Sequence, residues 1–233
     1  MNYLQIKADN DRIFQKQEYP GMQSEVFYHV TARSIQRQEA YHVSEHLIKS
    51  DTISAVLKQT GKIIALNFAN AMYPGGGYIL GGNAQEEALC RASMLYYTIR
   101  TAKKYYHANR MHVFPDYTDH MIYSQNVPVI RDQEGKRLEA SRLCDFITCP
   151  AVNRTFAKFL FSKKKLDQIM QNRISQIIQL CALKKPDVII LGAFGCGVFG
   201  NQREMIYPLF ESAINQYLAD EIKIIFADPS AKQ

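Results

Sequence analysis

Gln85, Glu86 and Glu87 follow Gly75-Gly76-Gly77 after a gap of seven residues, and the residue types on the two sides of that gap suit two different tasks. Adjacent carboxylates can deliver a proton to a reacting group and take one back, which is general acid/base chemistry. Three glycines in a row are conformationally costly unless a loop needs positive φ or a ligand must approach the backbone, so there the N–H groups become the candidate ligands. Leu89, Ala92, Leu95 (or Tyr96) and Ile99 keep helical spacing after the acidic pair, which puts residues 85–87 in the first turn of a helix. Acidic residues are ordinary in a first turn because they complement the helix dipole. That dipole favours the ionised form, so a carboxylate serving as an acid needs a neighbouring like charge or a dry pocket to raise its pKa.

The elements that must hold these groups are readable. Ile63 to Phe68 is a near-continuous apolar run, ended by Pro74, and suits a strand buried on both faces. Asp187 to Gly192 is a second such run, followed by a loop with Gly195, Gly197 and Gly200 and a helix from about Gln202 to Leu218. Strand, glycine loop and helix N-terminus together form a natural diphosphate cradle. Elsewhere the pattern predicts a helix over 9–19, a strand over 25–30, weak helical spacing over 35–49 and a helix capped by Asp51. Further on it predicts one helix from Gln85 through Tyr106, a strand over 121–130 broken at Pro128, and a turn over 132–137. A strand over 143–149, a helix over 163–183 and a last strand over 222–227 complete the reading. Asn153 falls in a loop, where turn chemistry accounts for it. Alternation of strands and helices implies an α/β fold with a largely parallel sheet, and ligands bind such sheets at the C-terminal ends of the strands.

Composition bounds the rest. A chain of 233 residues is long enough for one sizeable core and one domain. No run approaches a membrane span, and the N-terminus with Lys7, Asp9, Asp11 and Arg12 lacks the apolar core of a signal peptide. A cytoplasmic protein is expected by default, and an exported bacterial effector acting in a host cytosol looks the same. The five cysteines, Cys90, Cys144, Cys149, Cys181 and Cys196, are odd in number without Cys-x-x-Cys spacing, and read as reduced thiols. His42-Val-Ser-Glu45-His46 matches the inverted zinc-peptidase pattern, but no third ligand or core-helix context supports it, so no metal site is expected. Tyr96, Tyr97, Tyr105 and Tyr106 at helical spacing read as packing. The net charge of +6 is spread over short clusters and fits a polyanionic partner or a solvated surface.

Asn67-Phe-Ala-Asn70, Pro74-Gly-Gly-Gly77 and Gln85-Glu-Glu87 resemble the signature of the bacterial-type poly(ADP-ribose) glycohydrolases, a macrodomain family whose motif is three glycines, six to eight residues, then Gln-Glu-Glu. Glu87 to Ser93, Ile147 to Asn153 and Leu191 to Asn201 also resemble that family. The matching stretches span most of residues 60–228. Residues 1–60 read as an N-terminal accessory part and 61–228 as the motif-bearing core of a single domain.

The resemblance implies a macrodomain-like three-layer α/β fold, a central, largely parallel mixed sheet flanked by helices. It implies hydrolysis of ADP-ribosyl O-glycosidic bonds, with Glu87 as general acid and base. Glu86 would position the leaving ribose and raise the pKa of Glu87 by like-charge proximity. Gly75, Gly76 and Gly77 and the loop of Gly195, Cys196, Gly197, Val198, Phe199 and Gly200 would clasp the diphosphate and distal ribose. Asn70 would bond the ribose, Gln85 would orient the site, and Phe226 would pack near the adenosine. No metal or redox cofactor is needed. The expected partner is ADP-ribose, poly(ADP-ribose) or an ADP-ribosylated protein, bound by a monomer without membrane or direct nucleic-acid contact. Two other readings stay open: removal of single ADP-ribose groups from side chains such as arginine, and a non-catalytic ADP-ribose reader, against which the retention of both Glu86 and Glu87 argues.

Overall fold

A computed structural model describes residues 2–35 and 37–231. In chain order the elements are α1 (Tyr3–Gln15), β1 (Gln23–Phe27), α2 (Val43–His46), β2 (Leu47–Ile48), α3 (Thr52–Leu57) and β3 (Ile63–Phe68). A 3-10 turn over Tyr78–Leu80 precedes α4 (Gln85–Ala92), α5 (Leu95–Ile99), α6 (Lys103–Met111), β4 (Met121–Arg131) and β5 (Arg137–Cys149). The chain closes with α7 (Arg154–Ala157), α8 (Lys163–Lys184), β6 (Val188–Leu191), α9 (Arg203–Tyr217) and β7 (Lys223–Ala227). The strands form one mixed sheet in the order β1-β4-β5-β3-β6-β7-β2. The pairs from β5 to β2 are parallel, and β1-β4 and β4-β5 are antiparallel.

Alternation along β3 explains the three layers. Ile64 and Leu66 join Ile174, Ile177, Phe210 and Ile214 of α8 and α9 on one face. Ile63 and Ala65 join Ile53, Leu89, Leu95 and Ile99 of α3, α4 and α5 on the other. A strand apolar on both sides is what a sheet covered twice requires, and the expected macrodomain-like fold is the one observed.

Four expectations need correction. The helix predicted over 9–19 starts at Tyr3, because Asn2 and Gln5 form a capping box: Gln5 N donates to Asn2 Oδ1 at 3.0 Å and Asn2 N to Gln5 Oε1 at 3.1 Å. Asp9 and Asp11 are not its first turn, and pair instead with Arg131 and Lys7. The described residues of the weak helical stretch over 35–49 are largely irregular, since their backbone is bonded by α9: Ile35 N to Gln216 O (2.8 Å), Tyr41 N to Asn215 Oδ1 (2.7 Å) and Val43 N to Glu211 Oε1 (2.7 Å). Among the described residues of this stretch only Val43–His46 is helical, and β2 then adds an edge strand beside β7.

The helix predicted from Gln85 through Tyr106 is three helices. Ser93 turns extended (φ −140°, ψ 176°) and bridges Val129 of β4, while Met94 N donates to Pro128 O at 3.0 Å. Leaving the helix supplies a partner for strand groups that the sheet itself does not pair. Pro128 does not break β4, whose register shifts just before it, between Ser124 and Val127, where Asn126 takes φ 56°.

The five cysteines are free, and all but Cys196 are buried. His46 stacks on Tyr41 with centroids 4.5 Å apart, and no group of three His, Cys, Asp or Glu side chains among the described residues is placed to hold a metal ion. No helix among them is long and apolar enough to cross a membrane.

Candidate active site

The C-terminal ends of β3, β6 and β7 open onto one cleft with two lobes. A cavity of about 400 Å³ lies between Tyr3, Ile6, Asp51, Ile53, Gln133 and Asp228. One of about 320 Å³ lies between Asn70, Glu86, Glu87, Gly195, Gly197 and Phe199. They share Phe68, Ala84, Gln85 and Ala193, so they are the two ends of a single groove. Two small side chains, Ala84 and Ala193, leave the passage open between them.

Gln85 joins the strand to the helix above it. Its Oε1 accepts from Phe68 N (2.9 Å), and its Nε2 donates to Leu66 O (2.8 Å) and Thr52 Oγ1 (3.1 Å). Every amide bond of Gln85 thus goes into fixing β3, α3 and α4 against one another, an orienting role. Glu86 is 3% exposed. Its Oε2 accepts from Asn70 N at 2.7 Å and its Oε1 from Asn67 Nδ2 at 3.2 Å, and Asn67 Nδ2 also donates to Thr148 Oγ1.

Glu87 is half-buried and reaches back across the gap to the glycine loop. Oε1 accepts from Gly77 N (2.8 Å) and Oε2 from Ala84 N (3.0 Å). The second bond closes the helix start in the manner of a capping box, with Ala84 in the cap position. Gly76 explains why glycine is needed between them. It has φ +54°, and a Cβ there would stand 2.6 Å from Glu87 Oε1 and 3.2 Å from Glu86 Oε2. Both carboxylates therefore meet at the same bare backbone.

The Glu86 carboxyl is lifted to about 8. Burial is the main cause; bonds from Asn70 N–H and the Asn67 amide oppose it, and the charge of Glu87 adds to it. At neutral pH Glu86 holds a proton in the free protein.

Asn70 Oδ1 accepts from Met72 N (2.8 Å) and Tyr73 N (2.9 Å). Its carbonyl shapes the first loop, and its amide nitrogen is the part left for a ligand. In the second loop Gly195 (φ +71°) packs against Ala151 and Asn201, and Gly200 (φ +70°) against Thr155. Asn201 Nδ2 holds the loop through Val152 O (2.9 Å) and Gly195 O (3.2 Å). Between those anchors the N–H groups of Gly197, Val198 and Phe199 donate to no atom among the described residues. Cys196 Sγ faces Phe194 O at 3.7 Å, and burial pushes its thiol up to about 11, so it is no nucleophile at neutral pH.

Phe226 is the site expectation that the structure redirects. It is fully buried, with ring centroids 5.4 Å from Phe210 and 5.5 Å from Tyr207, so it offers no surface to a ligand. Ala227 and Asp228 follow it and line the larger lobe. Asp228 accepts from Arg203 Nε (2.5 Å), Tyr207 Oη (2.8 Å) and Ser230 Oγ (2.7 Å). Burial pushes its carboxyl up, but the bonds from Arg203, Ser230 and Tyr207 outweigh that and hold it well below the usual carboxylate range.

Sequence reasoning missed the N-terminal wall. Arg91 donates to Gly82 O and to Asn83 Oδ1 (2.8 Å), and its guanidinium lies 3.9 Å from the centroid of Tyr3. Tyr3 Oη reaches Asn83 Oδ1 at 3.1 Å, and Asn10 Nδ2 donates to Arg91 O at 3.0 Å. Helix α1 thus backs the loop that carries Ala84 and so one bond of Glu87. Asn67 was the one such residue with a readable signal, a polar side chain inside an otherwise apolar strand.

Comparison with known proteins places this arrangement. The family model for the microbial-type PARG catalytic domain matches residues 2–132, so the match includes the N-terminal segment. The structure of poly(ADP-ribose) glycohydrolase from Thermomonospora curvata superposes with a TM-score of 0.83 at 25% identity, covering 97% of this chain and 93% of that one. The Deinococcus radiodurans enzyme in complex with ADP-ribose gives 0.74 at 26% identity, covering 88% and 86%. A variant of that enzyme, also with ADP-ribose, gives 0.72 at 32% identity over 80% and 77%. No curated protein matches the chain by sequence. With the paired glutamates, both glycine loops and more than half of the chain under the family model, the chain belongs to the microbial-type poly(ADP-ribose) glycohydrolase family and is an ADP-ribosyl glycohydrolase.

Proposed function

We propose that the chain releases ADP-ribose from poly(ADP-ribose) at the smaller lobe of this cleft, with Glu87 as the catalytic acid and base. The observation that carries this reading is the convergence of Glu86 and Glu87 on Gly76 at one end of a groove whose other end has room for an adenosine. The larger lobe takes the adenosine, and Asp51, whose Oδ1 caps α3 through Ser54 N at 2.9 Å, has a second oxygen to accept from the adenine amino group. The free N–H groups of Gly197, Val198 and Phe199 bind the diphosphate between the lobes. The Asn70 amide donates to a hydroxyl of the distal ribose. Tyr3, Ile6 and Asp51 to Ile53 of the N-terminal part wall the adenosine end of a single domain, and residues 61–228 carry the chemistry.

Cleavage at the anomeric carbon passes through an oxocarbenium-like transition state. Protonated Glu87 gives its proton to the leaving ribose oxygen as the C–O bond breaks, and that oxygen keeps the bonding pair. The carboxylate so formed takes a proton from the water whose oxygen bonds to the anomeric carbon, restoring Glu87. The negative diphosphate stabilises the positive charge that develops on the ribose. Nothing in this sequence of steps calls for a metal or redox group.

The test follows free ADP-ribose from poly(ADP-ribose) and from proteins mono-ADP-ribosylated on arginine or glutamate. Release from the polymer is the expected result. Release from the mono-modified proteins alone replaces the proposal with side-chain reversal, and binding without release from any substrate reduces the chain to a reader.

A further inference from the structure

Resting on that reading, we infer that the surface just beyond Glu87 binds the polymer unit that leaves, through stacking on Phe156 and Phe159 with lysines against its diphosphate. The order of the sheet sets the direction. The larger lobe has Asp228 and Asp51, beyond β7 and β2, on one side and residues 132–135 of the β4–β5 turn on another. At the shared passage it meets the smaller lobe, whose loop of Val198 and Phe199 is bonded to Thr155. The carboxylates stand over β3, and the next strand outward is β5. A polymer running from the adenosine lobe past Glu87 therefore continues over the C-terminal end of β5, into residues 150–161.

That segment is apolar and open. Phe156 is 62% exposed and Phe159 77%, against a general rule that aromatic rings are largely covered. It is fastened to the second glycine loop, since Thr155 Oγ1 donates to Val198 O at 3.0 Å and Thr155 N to Phe199 O at 3.3 Å. The rings are thus continuous with the lip of the cleft. Cations stand among them: Lys158 Nζ lies 5.1 Å from the Phe159 centroid, and Lys163, Lys164 and Lys165 open α8 just beyond.

The chemistry of the leaving group fits this surface. Its first part past the scissile bond is an adenosine, and its diphosphate follows. Rings interleaved with cations are how single-stranded polyanions with bases are held without sequence reading, and a cation beside a ring adds to the attraction. The same rings offer nothing to a small leaving group, so the surface separates polymer from simpler substrates.

The test compares kcat/KM of the intact chain and of Phe156→Ala/Phe159→Ala on poly(ADP-ribose) and on ADP-ribose carrying a 4-nitrophenyl leaving group. The expected result is a loss of about ten-fold on the polymer with the small substrate unchanged, which also shows that the variant is folded. Equal changes on both, or none on the polymer, overturn the inference. In a Glu87→Gln background, binding is read directly by competition: polymer affinity falls about ten-fold when the two rings are removed, and ADP-ribose affinity stays. Unchanged polymer affinity there overturns the inference even if no substrate is cleaved, whereas absence of cleavage alone overturns only the proposed function. Lys158→Ala supplies a milder variant, expected to lower the salt dependence of polymer binding.

Discussion

The two glycine loops look alike in sequence and are used in opposite ways. In the first, the N–H of Gly77 is taken by Glu87 and that of Gly76 by Tyr73 O at 3.1 Å, and Gly76 is glycine because two carboxylates crowd it. In the second, the ends are pinned by Asn201 and Thr155 while the N–H groups of Gly197 to Phe199 donate to no atom among the described residues. On the proposed function, the loop whose donors are spent internally positions the acid, and the other receives the diphosphate. Glycine content alone does not distinguish them; what stands within 3 Å of each backbone does.

The comparison is broken most severely at Gly76. Gly76→Ala puts a methyl against Glu87 Oε1 and asks alanine for φ +54°, a backbone cost of about 1–2 kcal/mol. The expected outcome is loss of turnover by more than about 100-fold, with a smaller drop in Tm, read by steady-state assay and thermal unfolding. Near-normal turnover would show that the first loop is only a turn.

Glu86→Gln sharpens the electrostatic half of the contrast. Unfolded Glu86 gives up its proton near the ordinary 4.5, whereas folded Glu86 keeps it to about 8. Between those values the native state binds more protons, so this group makes stability fall as pH rises, by at most about 1.4 kcal/mol per pH unit. Denaturant unfolding of the free protein from pH 5 to 8 should show that slope, flattened in Glu86→Gln. An unchanged slope contradicts a protonated Glu86.

Gly197→Ala is the mildest change. Nothing lies within 4 Å of the added methyl and the backbone is not left-handed, so stability should stay within about 0.5 kcal/mol. ADP-ribose affinity, by calorimetry, should fall about ten-fold if the diphosphate sits on these donors. Equal damage from Gly76→Ala and Gly197→Ala to both folding and binding would erase the distinction between the loops.

Much of this was legible before the structure. Strands β3, β6 and β7 announce themselves as apolar runs because both of their faces are covered, α8 shows clear helical spacing up to the stop at Pro186, and α9 follows the second glycine loop. Gln85, Glu86, Glu87 and both loops were readable because their spacing is local. What was not readable depended on distant partners. The break at Ser93 answers unpaired groups on β4, and the irregular 35–49 segment is bonded by the backbone and side chains of α9. Phe226 was placed near the ligand, but alternation along β7 turns it toward α9 and leaves Ala227 and Asp228 to the cleft. The raised pKa of Glu86 was not readable either, because burial causes it and burial is a property of the folded layers.

The central claim is that Glu87 performs the chemistry while the two loops hold the substrate. It is tested most directly by measuring, side by side in the intact chain and in Glu87→Gln, the release of ADP-ribose from poly(ADP-ribose) and the affinity for free ADP-ribose. The account predicts turnover reduced by about 100-fold or more with affinity within a few-fold of the intact chain. Turnover at the original rate in Glu87→Gln would contradict it.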